Sequence, residues 1–220
     1  LQRAGGVSKY WSSLHKAFTD LDLQRTYITP RNCQDNIFWE EKVASDSCSV
    51  LHKNIGNYNR VFGCDIGSSK VDVFHSSYYL VPNRPIRKVI TTVHDLMYQK
   101  FDARLRSLYF KSIFSRAVLK STDIVCVSES TKVDFSEYFP RFPQDRLHVV
   151  SNGVDDIFFD REPNRVQSRS VEGGFFLYVG SRGTCKNFTG VLELASSEYA
   201  MDNGIGLVIV SNGDFSKLEN

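Results

Sequence analysis

The chain has 220 residues, of which 41% are hydrophobic and 24% charged, and its formal net charge is +2 at pH 7. This composition excludes a disordered or fibrous chain, and the charge is too small for a nucleic-acid-binding protein, whose basic residues gather on one face. No apolar run reaches the roughly 18 residues that cross a bilayer, and the start lacks a signal-peptide layout, so we expect a cytoplasmic protein.

The first predicted element is a helix that opens on the pair Gly5-Gly6 and ends near Asp20. Its apolar residues recur at helical spacing. They are Val7, Tyr10, Trp11, Leu14 and Phe18. A glycine pair that opens a helix normally follows a strand, so we expect the first strand of the sheet to be missing from the start of this chain.

Short β-branched segments then alternate with helical patterns. Strands are predicted at residues 24–29, 71–75, 88–94, 123–128 and 147–150. A helix at 104–121 carries an apolar stripe, and residues 32–69, which lack a firm period, are interpreted as a helix with loops. The alternation predicts an α/β fold with a parallel sheet covered by helices on both faces.

A polar stretch at residues 160–174 predicts a linker after a first domain at residues 1–159. The second domain, residues 175–220, has three predicted elements. They are a strand, a helix and a strand at residues 175–180, 188–200 and 205–210. These are too few for a Rossmann domain, so we expect the second domain to be truncated in this sequence.

The cysteines are odd in number and include no CxxC pair, which disfavours both a disulfide framework and a zinc site. We expect reduced thiols, most of them packed. The five are Cys33, Cys48, Cys64, Cys126 and Cys185.

His94-Asp95 ends a strongly apolar strand, at the edge of a parallel sheet where ligands bind. An imidazole and a carboxylate there would bind ligand hydroxyls or handle a proton, although adjacent strand positions point to opposite faces. A histidine satisfied within the protein is the alternative. A metal held by His75, His94 and Asp95 matches no known ligand spacing, and we expect none.

Two segments have the features of phosphate sites. Gly5-Gly6 would leave backbone N–H groups open at a helix N-terminus, and Arg182 and Lys186 precede another predicted helix. The alternative for Gly5-Gly6 is a tight turn without a ligand. The alternative for Arg182 and Lys186 is that both charges are simply solvated. Residues 128–131 are typical of a helix cap. The aromatic residues that form either a stacking wall or core are Tyr78, Tyr79, Tyr98 and Phe101.

Six segments, taken in chain order, resemble glycosyltransferase family 4. They lie at residues 2–11, 72–78, 89–96, 124–132, 149–154 and 177–182, the last followed by Lys186-Asn187. The resemblance implies a GT-B fold of two Rossmann-like domains. It also implies a retaining enzyme that transfers a hexose, mannose or similar, from a nucleoside diphosphate sugar to a glycan or lipid-linked acceptor in surface polysaccharide synthesis of the O-antigen type.

Carried over by position, the resemblance implies a crevice with donor and acceptor sides. Its donor-binding residues are Gly5, Gly6, Asn152, Gly153, Arg182 and Lys186. Its acceptor-binding residues are Val7, Ser8, His75 and Tyr78. The catalytic residues are His94, near the transferred sugar, and Asp95. The nucleotide sugar is a substrate, and neither a metal nor another cofactor is implied.

Two departures from the family pattern are visible. Ser181 follows Gly180 where many relatives have arginine, so Lys186 is the better candidate than Arg182 to hold the diphosphate. The acidic Glu-x7-Glu segment of the donor site is expected beyond Asn220. Lipid-linked acceptors imply possible peripheral association with the inner face of the membrane.

Other functions remain open. A sugar-nucleotide epimerase would share the crevice but turn over without an acceptor. A non-catalytic sugar, nucleotide or partner-binding fragment would bind without turnover. A Rossmann oxidoreductase is disfavoured, because no G-x-G-x-x-G turn with an acidic residue about 20 positions later is present.

Overall fold

The computed structural model describes most of the chain in two compact units, Leu1–Asp156 and Ile157–Asn220. The described residues are 5–30, 49–53, 57–67, 70–76, 79–100, 105–154, 159, 174–182 and 186–211. Among them no helix is long and apolar enough to cross a membrane. Only Gly174 of the predicted linker is described, and Cys33, Cys48 and Cys185 lie outside these ranges.

The first unit alternates strands with helices. Its elements are α1 (Gly6–Asp20), β1 (Thr26–Pro30), β2 (Ser49–Lys53), α2 (Asn57–Phe62), β3 (Val73–Ser76), β4 (Lys88–Val93), α3 (Met97–Lys100), α4 (Leu105–Lys120), β5 (Asp123–Cys126), α5 (Glu129–Tyr138) and β6 (Leu147–Val149). Strands β3-β4-β5-β6 form a four-stranded sheet in that order, and β1 pairs with β2. Every pairing between described strands is parallel, which confirms the predicted Rossmann-like α/β class.

The hydrophobic core of the first unit lies on one face of the four-stranded sheet. Its buried residues are Val93, Leu96, Phe114, Val118, Ile124, Cys126, Phe135 and Leu147, from strands β4 to β6 and helices α4 and α5. Burying each large apolar side chain contributes roughly 1.5–3 kcal/mol. Successive strand residues point to opposite faces, so Thr92 and His94 lie on the face away from Val93.

Cys64 and Cys126 are both free and buried, as expected.

Helix α1 lies on that second face, and its burial differs from its apolar spacing. Its buried residues are Ser8, Ser12 and His15, at 2%, 8% and 4% exposure. The nitrogen Nδ1 of His15 shares a 2.8 Å hydrogen bond with the hydroxyl of Tyr27. The apolar stripe is less buried, so the spacing predicts the helix correctly but not its rotation about its own axis.

The second unit is described over β7 (Phe175–Val179), α6 (Phe188–Ala195), α7 (Glu198–Asp202) and β8 (Gly206–Val210). Strands β7 and β8 pair in parallel. The predicted single helix at 188–200 is wrong, because the chain leaves helical geometry after Ala195 and Ser197 caps α7 by accepting a hydrogen bond from the amide of Ala200 at 3.3 Å.

The interpretation of residues 32–69 as a helix with loops is wrong in part. This range contains strand β2, which pairs along its whole length with β1. Its sequence, Ser-Val-Leu-His-Lys, is short and lacks the alternation that indicates a strand. Helix α2 follows as a short helix within the same range.

Candidate functional site

Four aromatic and imidazole rings meet where β3 and β4 end beside the first turns of α1. This ring cluster consists of Tyr10, Trp11, His75 and His94. Ring centroids lie 4.9 Å apart for Tyr10 and His94, 4.6 Å for Trp11 and His75, and 5.6 Å for Tyr10 and Trp11. All three contacts are edge-to-face, an arrangement favoured by the charge distribution of aromatic rings. The cluster therefore ties α1 to the carboxyl edge of the sheet.

Thr92 connects two members of the ring cluster through its hydroxyl. Its Oγ1 lies 2.8 Å from Nε2 of His75 and 3.2 Å from the hydroxyl oxygen of Tyr10. The side chain is 4% exposed, so these hydrogen bonds are shielded from water. Because a threonine hydroxyl carries one proton, Thr92 accepts in at least one of the two bonds.

Two polar atoms of the ring cluster are buried without a hydrogen-bond partner in the described part of the chain. They are Nε1 of Trp11 and Nε2 of His94. A buried polar atom left unpaired costs about 1–3 kcal/mol, so a ligand that offered a hydrogen-bond partner to either atom would stabilise it. The indole nitrogen can only donate, whereas a neutral imidazole nitrogen either donates or accepts.

Burial keeps both histidines of the cluster neutral. Burial, with a smaller contribution from the neighbouring His94, lowers the pKa of His75 to about 4. Burial also lowers the pKa of His94, although the nearby carboxylate of Asp95 opposes the shift. The pKa of Tyr10 is raised by burial, so its phenol stays protonated. At neutral pH the cluster presents uncharged hydrogen-bonding groups.

The N-terminus of α1 begins one turn before Tyr10. Gly5 is extended, with φ −154° and ψ 159°. Among the described residues, a Cβ added at Gly6 would meet nothing within 4 Å. Backbone N–H groups at the positive end of a helix dipole favour an anion.

Asp95 is engaged elsewhere. Its side chain is exposed, and Oδ1 accepts a 3.2 Å hydrogen bond from the amide of Met97 at the start of α3. This contact stabilises the turn that follows β4. Across the described ranges, no group of three or more His, Cys, Asp or Glu residues is arranged to hold a metal ion.

A family model described as Glycosyltransferase Family 4 matches residues 4–157, which is more than half of the chain. The chain belongs to glycosyltransferase family 4. The match takes in the whole ring cluster, Thr92 and the start of α1. A search of curated proteins finds no match.

In this family 4 chain, the predicted residues Asn152 and Gly153 follow β6 and are exposed. Val7 is half-buried, whereas Ser8 is almost fully buried. Tyr78 lies outside the described residues. Tyr79 packs against Phe114 with ring centroids 4.7 Å apart, so it belongs to the core, the alternative to a stacking wall.

The predicted diphosphate residues belong to the second unit, in the connection between β7 and α6. The hydroxyl of Tyr178 donates a 2.6 Å hydrogen bond to the carbonyl of Ser181, and its ring packs on Phe188, the first residue of α6, at 4.9 Å. These contacts connect Ser181, through Tyr178, with the helix start. Lys186 is exposed and Arg182 is half-buried.

The contacts of Tyr10, Trp11 and Thr92 with the two histidines were not predicted from the sequence. Tyr10 and Trp11 were assigned to the apolar spacing of the helix and to a segment that resembles the family, without a site role. Thr92 did carry a signal, since it lies two residues before His94 and strand alternation puts both on one face. The contact of that face with Tyr10 depends on the rotation of α1, which the spacing did not give.

Proposed function

We propose that this family 4 glycosyltransferase is a retaining hexosyltransferase. The donor is a nucleoside diphosphate sugar, and the acceptor is a hydroxyl of a glycan or of a lipid-linked glycan used in surface polysaccharide synthesis. The observation that carries the proposal is Nε2 of His94, a buried nitrogen of a neutral imidazole with no partner among the described residues, in a ring that contacts Tyr10 of α1.

In the proposed reaction, an acceptor oxygen forms a bond to the anomeric carbon as the bond to the diphosphate oxygen breaks. The departing diphosphate takes the acceptor's proton, and attack on the face that the diphosphate leaves retains the configuration. No protein nucleophile is assigned, and the proposal requires no metal. Backbone N–H groups at Gly5-Gly6 stabilise the departing diphosphate.

His94 has a binding role in this reaction. A neutral imidazole forms a hydrogen bond with a hydroxyl of the transferred hexose without adding a charge near the anomeric centre. This role agrees with the lowered pKa that burial gives the ring. Asp95 supports it indirectly, by closing the turn after β4 through Met97.

The acceptor side of the proposal uses the first turn of α1. Ser8 is 2% exposed, so its contribution comes from the backbone rather than from its hydroxyl. Asn152, Gly153, Arg182 and Tyr78 remain proposed contacts. A lipid-linked acceptor would bring the protein to the inner face of the membrane as a peripheral protein.

The test combines transfer and binding. The purified protein is incubated with UDP-, GDP- and ADP-hexoses and a panel of glycan and lipid-linked acceptors, and the anomeric configuration of the product is read by NMR. We expect His94→Gln to lower kcat/KM by about 100-fold, the size of the loss when one transition-state hydrogen bond is removed. His148→Gln, which changes an exposed histidine of β6, is the matched control.

Three results would count against the proposal. They are transfer with inverted configuration, transfer that survives in His94→Gln, and the absence of both transfer and sugar-nucleotide binding. Conversion of a sugar nucleotide without any acceptor would instead identify an epimerase. Lys186→Ala is expected to weaken sugar-nucleotide binding measured by calorimetry, whereas Lys120→Ala, an exposed lysine at the end of α4, should leave it unchanged.

A further inference from the structure

Four side chains form a closed circuit of contacts beside His94. Tyr10 bonds to Thr92, Thr92 bonds to His75, His75 packs on Trp11, and Trp11 packs on Tyr10. Two of these contacts are hydrogen bonds through one hydroxyl, and two are edge-to-face ring contacts. His94 touches this circuit through the ring of Tyr10 at 4.9 Å.

We propose that His75 and Tyr10 are positioning residues that hold the imidazole of His94 through the hydroxyl of Thr92. The functional role of His94 rests on the proposed transferase reaction, but the positioning itself does not. In this proposal His75 acts within the protein and is not a ligand of the acceptor.

The contacts of His75 support this assignment. Its Nε2 is already bonded to Thr92 at 2.8 Å, and its ring lies against the indole of Trp11. Breaking the first contact to reach a substrate would remove one of the two hydrogen bonds of a buried threonine hydroxyl and leave it with Tyr10 alone. The geometry therefore favours a fixed His75 in both the free and the bound protein.

Tyr10 connects the hydroxyl of Thr92 to the ring of His94. Its phenol is fixed at one end by Thr92, and its ring meets the imidazole of His94 at an interplanar angle of 87°. A ring fixed by its hydroxyl cannot swing away from the imidazole without losing a hydrogen bond. Losing the Thr92 hydroxyl frees both Tyr10 and His75, whereas losing the Tyr10 hydroxyl frees Tyr10 alone.

The chain contains a matched control for Thr92. Thr91 is adjacent, is also fully buried, and shares a 2.8 Å hydrogen bond with Ser121, but it lies on the other face of β4. Thr91→Val and Thr92→Val are thus the same chemical change at neighbouring buried sites. Tyr10→Phe removes a single hydroxyl and keeps the ring.

The experiment measures the pKa of His94 in the ligand-free protein by NMR of labelled histidine, with His94→Gln used to assign the signal. In Thr92→Val we expect this pKa to rise towards its ordinary value, because a released Tyr10 covers the ring less well. Among the described residues, the other titratable groups that interact with His94 are His75 and the carboxylate of Asp95. Tyr10→Phe should give a smaller rise, and Thr91→Val none.

An unchanged His94 pKa in both Thr92→Val and Tyr10→Phe would overturn the proposal, and so would an equal shift in Thr91→Val. Where transfer is measurable, Thr92→Val should lower kcat by about 10- to 100-fold, as expected for a misplaced group, while KM for the donor changes less. Failure of the transferase reaction leaves the NMR result decisive, so the two proposals fail separately.

Discussion

At the scale of single residues, His75 makes the stability of the first unit depend on pH. Its pKa is lowered from 6.5 to about 4 by burial, so the folded state favours the neutral ring. The stabilisation is fully present above pH 6.5 and is lost as the pH falls towards 4, where the unfolded chain binds the extra proton. The full shift corresponds to about 3 kcal/mol.

Urea unfolding at a series of pH values between 4 and 7 measures this effect. We expect the free energy of unfolding to rise with pH across that window in the wild type and to rise less in His75→Gln, which has no imidazole at this position. His94 contributes a slope of the same sign, since its pKa is also lowered. Equal slopes in the two proteins would show that His75 titrates as an ordinary histidine.

The candidate site was predictable from the sequence at some residues and not at others. His75 and His94 end predicted strands, and parallel strands bring their carboxyl ends to one edge, so both were placed there correctly. Their partners on α1 were not predicted, because hydrophobic spacing gives the period of a helix. It does not determine which side chains of a mostly half-buried helix face a particular strand.

At the scale of elements, the start of α5 agrees with the sequence. Ser128 accepts a 3.1 Å hydrogen bond from the amide of Thr131, as the predicted helix cap requires. Ser128→Ala should lower the free energy of unfolding by about 1 kcal/mol, because a first-turn amide loses its acceptor. Denaturant unfolding measures the change. Ser130→Ala, at an exposed position of the same turn, is the control and should be neutral.

A second element-scale prediction concerns the parallel bridge between Cys64 and Pro82. Gly63, just before it, has a φ of +103°, and a Cβ there would lie 2.9 Å from Cα of Asn83. Gly63→Ala adds both backbone strain and a clash with main-chain atoms, so we expect a loss of about 1–3 kcal/mol or more. Gly67, with a φ of +72° and no described atom within 4 Å of an added Cβ, is the matched control.

Thermal or denaturant unfolding separates the two contributions. Gly67→Ala should show the cost of positive φ alone, about 1–2 kcal/mol, and Gly63→Ala should exceed it. If Gly63→Ala lowered the free energy of unfolding no more than Gly67→Ala, the main chain at the bridge would move aside for the methyl group at little cost.

Element prediction succeeded where the pattern was strong and failed where it was short. The helix predicted at 104–121 is α4, Leu105–Lys120, because sixteen residues give several turns of evidence. Strand β2 was missed because its pairing with β1, rather than its own composition, determines it. The break between α6 and α7 depends on the Ser197 cap inside a segment of good helix formers.

At the scale of the whole molecule, the family match and the compact units agree closely. The match ends at residue 157, and the first unit ends at Asp156. The family assignment therefore rests on the unit that carries the ring cluster. The α/β class could be predicted from alternating strands and helices, whereas the proposed donor contacts Arg182 and Lys186 lie outside the matched residues.

Strand β4 places two identical residues in different roles, with Thr91 bonded to Ser121 on the core face and Thr92 bonded to His75 on the other. A slip of one position would turn Val93 towards the rings and His94 into the hydrophobic core. An inserted codon within the six residues of β4 would cause such a slip, whereas one at the exposed Pro85 lies outside the strand. We expect a change in length to be tolerated better in the connection before this strand than within it.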